Sequence, residues 1–311
     1  MNYLVIGEPC VDVIHKSNNE ILHSYGGILY SVITMSVLAN KDDKIIPVMN
    51  LGEDEFENIT NIFKKYPNID LSGIQKCAHP TRKVNLYYSS YNEDKQARLE
   101  QSTEPTYEIK FDWIKNFLPQ ADAILVNMIS GVDVSLETLK NIRSNFDKYI
   151  HVDIHNIVMG MDAAGNRSHK SIDDWKEWCT NSDTVQMNEF EAATLSKEKL
   201  KEYQIAEQIL ISEGSKTKGL IITRGKMGVS GFTKKEKNFG GEKFWDIDKH
   251  DLNSIENPHF KDSTGCGDVF ASSFTIDYSQ SKDFEKAMHY ANRKASFKSS
   301  LDGIDELIKL K

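Results

Sequence analysis

The sequence predicts an α/β fold: a mostly parallel sheet flanked by helices, with a small appended sheet. Three observations predict it. Short, almost uninterrupted apolar runs recur along the chain, as in strands buried on both faces. Amphipathic segments of helical spacing separate them. One Tyr-rich stretch alternates instead, as a strand pair with one wet face does.

The buried strands are expected at Tyr3–Gly7, Lys44–Met49, Ala123–Met128, Tyr149–Ile154, Thr184–Met187 and Gly219–Thr223. Between them, Phe56, Ile59, Ile62 and Phe63 form one apolar helical stripe, and Leu136, Leu139, Ile142 and Phe146 form another, with Ser135 as its cap. Trp175 and Trp178, three apart, read as core anchors. The alternating segment Arg82–Glu100 reads as a hairpin, and the polar, extended residues 8–25 as its neighbour. With no repeat, low-complexity tract or linker in sight, the expectation is a single domain over residues 1–311, its lid strands drawn from about 8–35 and 80–105.

Composition narrows the function. Apolar residues make up 39% and charged residues 27% of 311 residues, as in a globular chain. A net charge of −8 disfavours a broad nucleic-acid surface. Cys10, Cys77, Cys179 and Cys266 include no CxxC pair and no zinc spacing, so free thiols in a reducing compartment are expected. No apolar run approaches the ~18 residues of a membrane span, and no leader pattern opens the sequence, so the expectation is a cytoplasmic protein with no membrane partner.

The chemistry concentrates in "KDSTGCGDVF", Lys261–Phe270. Gly265 and Gly267 let the backbone approach a ligand, and the apolar spacing of Val269, Phe270, Phe274 and Tyr278 predicts a helix just beyond. The free N–H groups of such a helix start attract phosphate. Asp268 would repel that anion unless it has work beside it. Phosphoryl transfer supplies such work: a carboxylate orients the attacking hydroxyl and takes its proton while N–H groups stabilise the moving phosphate. Taken alone, the stretch also reads as an ordinary Gly-rich helix start with an acid favoured by the dipole.

"DSTGCGDVF" resembles the C-terminal signature of the ribokinase-like (PfkB) carbohydrate kinase family, usually Asp-Thr-x-Gly-Ala-Gly-Asp, with Cys266 in place of Ala. Further stretches resemble that family in its order: "VIGEPCVDVI", "YGGILYS", "NLGEDEF", "NEFEAATL" and "GLIITRGKMGV". Each is weak alone; together, in order over nearly the whole chain, they are specific. The resemblance implies a ribokinase-like three-layer α/β/α fold with a mostly parallel central sheet and a small β lid. It implies Asp268 as base and Gly265, Cys266 and Gly267 as backbone donors. It implies Thr223, Arg224, Gly225, Gly228 and Asn292 at the nucleotide, and Asn188 with Glu191 near phosphate and magnesium, through water. It implies Asp12, Gly26, Gly27 and Ser31 at the substrate, where Ser31 stands in place of the frequent Asn and leaves the sugar open. The cofactors implied are ATP and Mg2+, with K+ an open possibility.

Other readings stay beside these. Asn188 and Glu191 fit a capping box, a role compatible with the first. Arg224 suits phosphate or solvent equally. His155 reads as a packed or capped histidine, and Arg167, His169 and Lys170 as a solvated loop, although an anionic substrate would suit them. Arg98 reads as lid surface, and Cys266 as a potential point of thiol sensitivity. No P-loop and no GxGxxG is present. The expected activity is transfer of the ATP γ-phosphate to a hydroxyl of a small sugar or sugar derivative; a nucleoside kinase and a non-catalytic sugar-binding regulator are the alternatives. A homodimer through the lid is expected, with Val84, Leu86 and Tyr88 as its apolar contact.

Overall fold

The computed structural model describes residues 1–15, 20–87 and 99–311. In chain order the elements are β1 (Asn2–Ile6), β2 (Pro9–His15), β3 (Ile21–Gly27), α1 (Ile28–Leu38), β4 (Lys44–Gly52), α2 (Phe56–Phe63), β5 (Ile74–Cys77), β6 (Arg82–Tyr87) and β7 (Leu99–Ser102). There follow α3 (Phe111–Ile114), β8 (Ala123–Asn127), α4 (Leu136–Asn145), β9 (Tyr149–Asp153), β10 (Met159–Met161), β11 (Arg167–His169), α5 (Trp175–Thr180), β12 (Thr184–Asn188), α6 (Glu189–Thr194) and α7 (Glu202–Leu210). The chain closes with β13 (Gly219–Thr223), β14 (Val229–Phe239), β15 (Glu242–Leu252), α8 (Cys266–Ser281) and α9 (Phe284–Lys298).

A nine-stranded sheet runs β15-β14-β13-β12-β9-β8-β1-β4-β5. It is parallel from β13 to β5, and β14 and β15 add antiparallel at one edge. The two-residue period of β1 builds the layers. Leu4 and Ile6 pack with Val126, Val152, Met187 and Ile222 on one face, under α4, α5 and α7. Tyr3 and Val5 pack with Leu125 and Ile221 on the other, under α1, α2, α8 and α9. Burial on both faces explains the near-continuous apolar runs, and the three-layer α/β/α arrangement follows. Ser135 caps α4 by accepting from the Thr138 N–H at 3.2 Å, and Trp175 and Trp178 lie in the core.

A second sheet, β3-β2-β6-β7, stands apart from the first. β2 pairs antiparallel with β3 and parallel with β6, and β6 antiparallel with β7. Asp54 fastens its root, accepting from the Thr81 N–H at 2.9 Å and the Thr81 hydroxyl at 3.0 Å. Residues 28–35 correct the expected lid boundary: they belong to α1, which packs on α8 in the main body. A chiral reason is visible at the junction. Gly27 has φ of 62°, and a Cβ there would lie 2.6 Å from the Glu8 carbonyl, so the strand can turn into the helix only through glycine.

The apolar lid contact also needs correcting. Val84 and Leu86 are 7% and 3% exposed, packed with Cys10 in a small core of their own, and so present no apolar face to a second copy. Tyr88, Arg98 and the tip of the expected hairpin lie outside the described residues. Among the described residues no helix is long and apolar enough to cross a membrane.

Candidate active site

The parallel strands end on polar residues, and those ends meet. Asn127 closes β8, Asp153 closes β9, Asn188 closes β12 and Thr223 closes β13. Ligands in open α/β sheets bind at these carboxyl ends, where helix N-termini also converge.

Gly265 caps α8 in the left-handed region, with φ of 77°. It lies so close to Tyr30 that a Cβ would sit 2.4 Å from the ring. Only glycine satisfies both demands. Gly267, by contrast, faces open space, and a Cβ there meets nothing. Among the described residues, nothing accepts the N–H groups of Gly265 and Gly267. The Cys266 N–H is committed to the Ser263 carbonyl at 3.1 Å, which corrects its expected place among the free donors. Burial pushes the Cys266 thiol up to about 12, so the expected thiol sensitivity is corrected too: little nucleophilic thiolate forms near neutral pH.

Asp268 lies in the first turn of α8, partly covered, and accepts from Asn127 Nδ2 at 2.6 Å. Burial raises its carboxyl above the ordinary range, against the lowering influence of His155 and Asn127. Asn127 Nδ2 also reaches the Ser31 hydroxyl at 3.1 Å. Ser31 is fully buried, so it braces Asn127 from behind and does not line the substrate space as expected.

A second polar chain runs from the turn to α6. Gln186 Nε2 donates to the Gly267 carbonyl and to Asp153 Oδ2, each at 3.1 Å. Burial raises the Asp153 carboxyl well above the usual carboxylate range, with the His155 charge opposing the shift. Asn188 and Glu191 form a capping box: Asn188 Oδ1 accepts from the Glu191 N–H at 2.9 Å and Glu191 Oε2 from the Asn188 N–H at 2.6 Å. Asn188 Nδ2 adds a bond to Glu191 Oε1, also at 2.6 Å. His155, held at φ of 37°, places Nδ1 3.5 Å from Glu191 Oε1. Burial would lower its imidazole, but Glu191, Asp153 and Asp268 together prevail and raise it to about 9. The residue read from sequence as a packed or capped histidine thus stands beside Glu191, with Asp153 and Asp268 near enough to favour its charged form.

Among the described residues no group of three or more His, Cys, Asp or Glu has the geometry to hold a metal directly. Both Glu191 oxygens already accept from Asn188, which leaves their outer lone pairs to a hydrated ion. Magnesium, which keeps several waters, fits that donor set through water.

The remaining expected residues divide. Asp12 is buried and lies over Gly26, where a Cβ would come 2.3 Å from its Oδ2. Cys10 Sγ donates to Asp12 Oδ1 at 3.4 Å. Gly225 and Gly228 form the turn after β13, with φ of 49° and 91°, and the Arg224 N–H closes it onto the Gly228 carbonyl at 2.8 Å. Asn292 Nδ2 holds the Asn253 carbonyl at 2.9 Å, next to that turn's contact at Leu252. Arg224, read as suited to phosphate or solvent equally, is not free in solvent. Its guanidinium is taken by Glu202 and by the Ser230 hydroxyl at 2.6 Å. His169 and Lys170 are on the surface, whereas the Arg167 side chain is only 6% exposed.

Sequence reasoning missed Asn127, Gln186, Tyr30 and Lys298. The available signal for the first two was a polar side chain inside an otherwise apolar strand. Nothing in the spacing pointed to the others.

Residues 158–305 match the family model described as pfkB family carbohydrate kinase. No curated protein matches the chain. Among solved structures, ribokinase from Thermotoga maritima is 17% identical, with 99% of this chain and 98% of that chain covered and a TM-score of 0.71. Arabidopsis thaliana ribokinase, complexed with ribose and ATP, is 16% identical over 99% and 97% of the two chains, with a TM-score of 0.69. A pyrophosphate-dependent kinase in the ribokinase family, bound to a pyrophosphate analog and myo-inositol, is 16% identical over 97% and 96%, at 0.72. At these identities the likeness to solved structures shows a shared fold.

Proposed function

We propose that this chain, whose residues 158–305 match the pfkB family carbohydrate kinase model, is a phosphotransferase with an alcohol acceptor of that family and moves the γ-phosphate of ATP to a hydroxyl of a small sugar or sugar derivative. The observation that carries the reading is the pairing of Asp268, held by Asn127, with the unengaged N–H groups of Gly265 and Gly267 on the same helix start.

The acceptor lies over Gly26 and Gly27, its hydroxyls bonded to Asp12, with one hydroxyl delivered to Asp268. As the new O–P bond forms, that oxygen's proton passes to Asp268, and the bond from the γ-phosphorus to the bridging oxygen breaks to leave ADP. The proton then leaves Asp268 for solvent. The Gly265 and Gly267 N–H groups take the charge on the migrating phosphoryl oxygens. Asn127 holds the carboxylate in line, and position matters more than basicity if bond breaking leads. Asn188 and Glu191 would hold Mg2+ through water; when bound, it neutralises charge on the donor phosphates.

The surface beside the Gly225–Gly228 turn favours a nucleotide over pyrophosphate as donor. Met227, Ile255, Phe260 and Phe297 are 75%, 45%, 43% and 45% exposed. Their segments are tied together: Ser254 Oγ donates to the Lys226 carbonyl at 2.7 Å, Ser296 Oγ to the Ile255 carbonyl at 3.0 Å, and Lys226 lies over Phe260. An apolar rim of this kind suits a purine base, and inorganic pyrophosphate has no use for it.

A panel of ribose, fructose, myo-inositol, deoxygluconate-type acids and nucleosides, each with ATP and with pyrophosphate, tests the reading by product formation. Phosphorylated sugar from ATP supports it. Sugar binding without product across the panel overturns it, and product from nucleosides alone moves the activity to the nucleoside alternative.

A further inference from the structure

We infer that Lys298 is a built-in cation of the phosphoryl site, a positioning residue whose fixed charge supports the Gly265–Gly267 turn and removes the need for a bound monovalent ion. The inference deepens the kinase reading and rests on it.

Lys298 ends α9 and is fully buried. Its Nζ donates to the Leu301 carbonyl at 3.2 Å and lies 5.5 Å from the centre of the Tyr30 ring. Among the described residues no carboxylate stands within 4.0 Å of it. An ammonium has three donors, and here one carbonyl and one ring face attend it. Removing a charge from water without a counter-ion is costly, so a fold that keeps one has a compensating negative charge somewhere.

The geometry shows where that charge arrives. Tyr30, which Lys298 faces, is the ring on which Gly265 packs. The main chain entering the turn is fastened beside Lys298: the N–H groups of Lys261 and Asp262 both reach the Ser299 carbonyl, at 2.7 and 3.2 Å. The positive charge of Lys298 is felt at Cys266 and at Asp268, on the first turn of α8. The turn presents the two unengaged N–H groups of Gly265 and Gly267, with Asp262 and Asp268 as its carboxylates. A phosphoryl group carried to those N–H groups would add negative charge beside the Tyr30 ring that the ammonium also faces, and the fixed cation would offset part of it. Because the cation is covalently attached, no potassium ion is required to supply it.

The plainer alternative is that Lys298 merely closes the end of α9, where a cation suits the dipole. Calorimetric titration with ADP and with ADP–beryllium fluoride, in Mg2+ and tetramethylammonium buffer, separates the two without any acceptor or turnover. The fluoride complex presents a γ-phosphate mimic; ADP does not. Wild type is expected to bind the fluoride complex at least about tenfold more tightly than ADP, and Lys298→Met to lose that increment while keeping ADP affinity within about threefold. Regain of the increment in Lys298→Ala on adding methylammonium supports the charge itself. A folded Lys298→Met that keeps the increment, or a wild type that has none, overturns the inference. Should both variants fail to fold, wild type alone decides. An increment unchanged when K+ replaces tetramethylammonium supports it, and one that grows about tenfold or more with K+ overturns it. Absence of sugar phosphate in the substrate panel would sink the kinase reading while leaving this titration readable.

Discussion

Asn127 Nδ2 stands 2.6 Å from Asp268 Oδ1, joining the end of β8 to the first turn of α8 across 141 residues of chain. That bond fixes a carboxylate that the helix start alone would leave free to rotate. By donating to it, the bond also favours the ionised form, although burial prevails and raises the carboxyl.

The raised Asp268 carboxyl has a pH consequence. The base must be ionised to accept the hydroxyl proton, so kcat/KM should fall on the acid side at a pH above the ordinary carboxylate range. The stability sign is opposite to that of a salt-bridged acid. An Asp with a raised value contributes most below its unfolded value, and that contribution is lost as pH rises through the folded one. Asp268→Asn should therefore melt no lower than wild type at pH 8. A pH–rate profile that stays flat down to pH 4, or a strongly destabilised Asp268→Asn, would contradict this.

The two glycines of the turn should fail differently. Gly265→Ala forces a Cβ onto Tyr30 and a left-handed backbone, so it should cost stability, ~1–2 kcal/mol for the backbone alone, as well as turnover. Gly267→Ala meets no protein atom, so its melting temperature should hold while its methyl occupies the phosphoryl space and turnover falls. Equal melting temperatures with equal activities would refute the assignment of the turn.

Arg224 should matter to folding and little to ATP. Arg224→Met breaks the pair with Glu202, which is only partly covered, so about 1 kcal/mol is expected from denaturant melts. KM for ATP should change less than about threefold. A tenfold rise in KM with unchanged stability would return Arg224 to the donor site.

Cys266 should resist alkylation. With its thiol pushed up to about 12, iodoacetamide at pH 7.5 should leave activity intact over an hour, and rapid inactivation traced to Cys266 by peptide mass would count against so unreactive a thiol.

The sheet could be read directly because each parallel strand is apolar on both faces, and the helix over Leu136–Asn145 because Ser135 and its stripe agree. The "DSTGCGD" turn was legible because left-handed backbone and the Tyr30 ring leave Gly265 no substitute, while Gly267 keeps the space in front of it open. Asn127 and Gln186 were hidden for the converse reason: each is one polar side chain in a strand, and its partner comes from α8, far along the chain. Arg224 misled because its partner, Glu202, lies on another helix, where local sequence carries no sign of it. His155 was read by residue type, yet its charge is set by Glu191, Asp153 and Asp268, which only the folded sheet gathers.

The most direct test of the account is the turnover of purified Asp268→Asn with a sugar that wild type phosphorylates. The account predicts kcat lower by roughly 10²–10⁴-fold, with the affinities for ATP and sugar preserved. Turnover within a few-fold of wild type would show that the carboxylate on α8 does not receive the acceptor's proton.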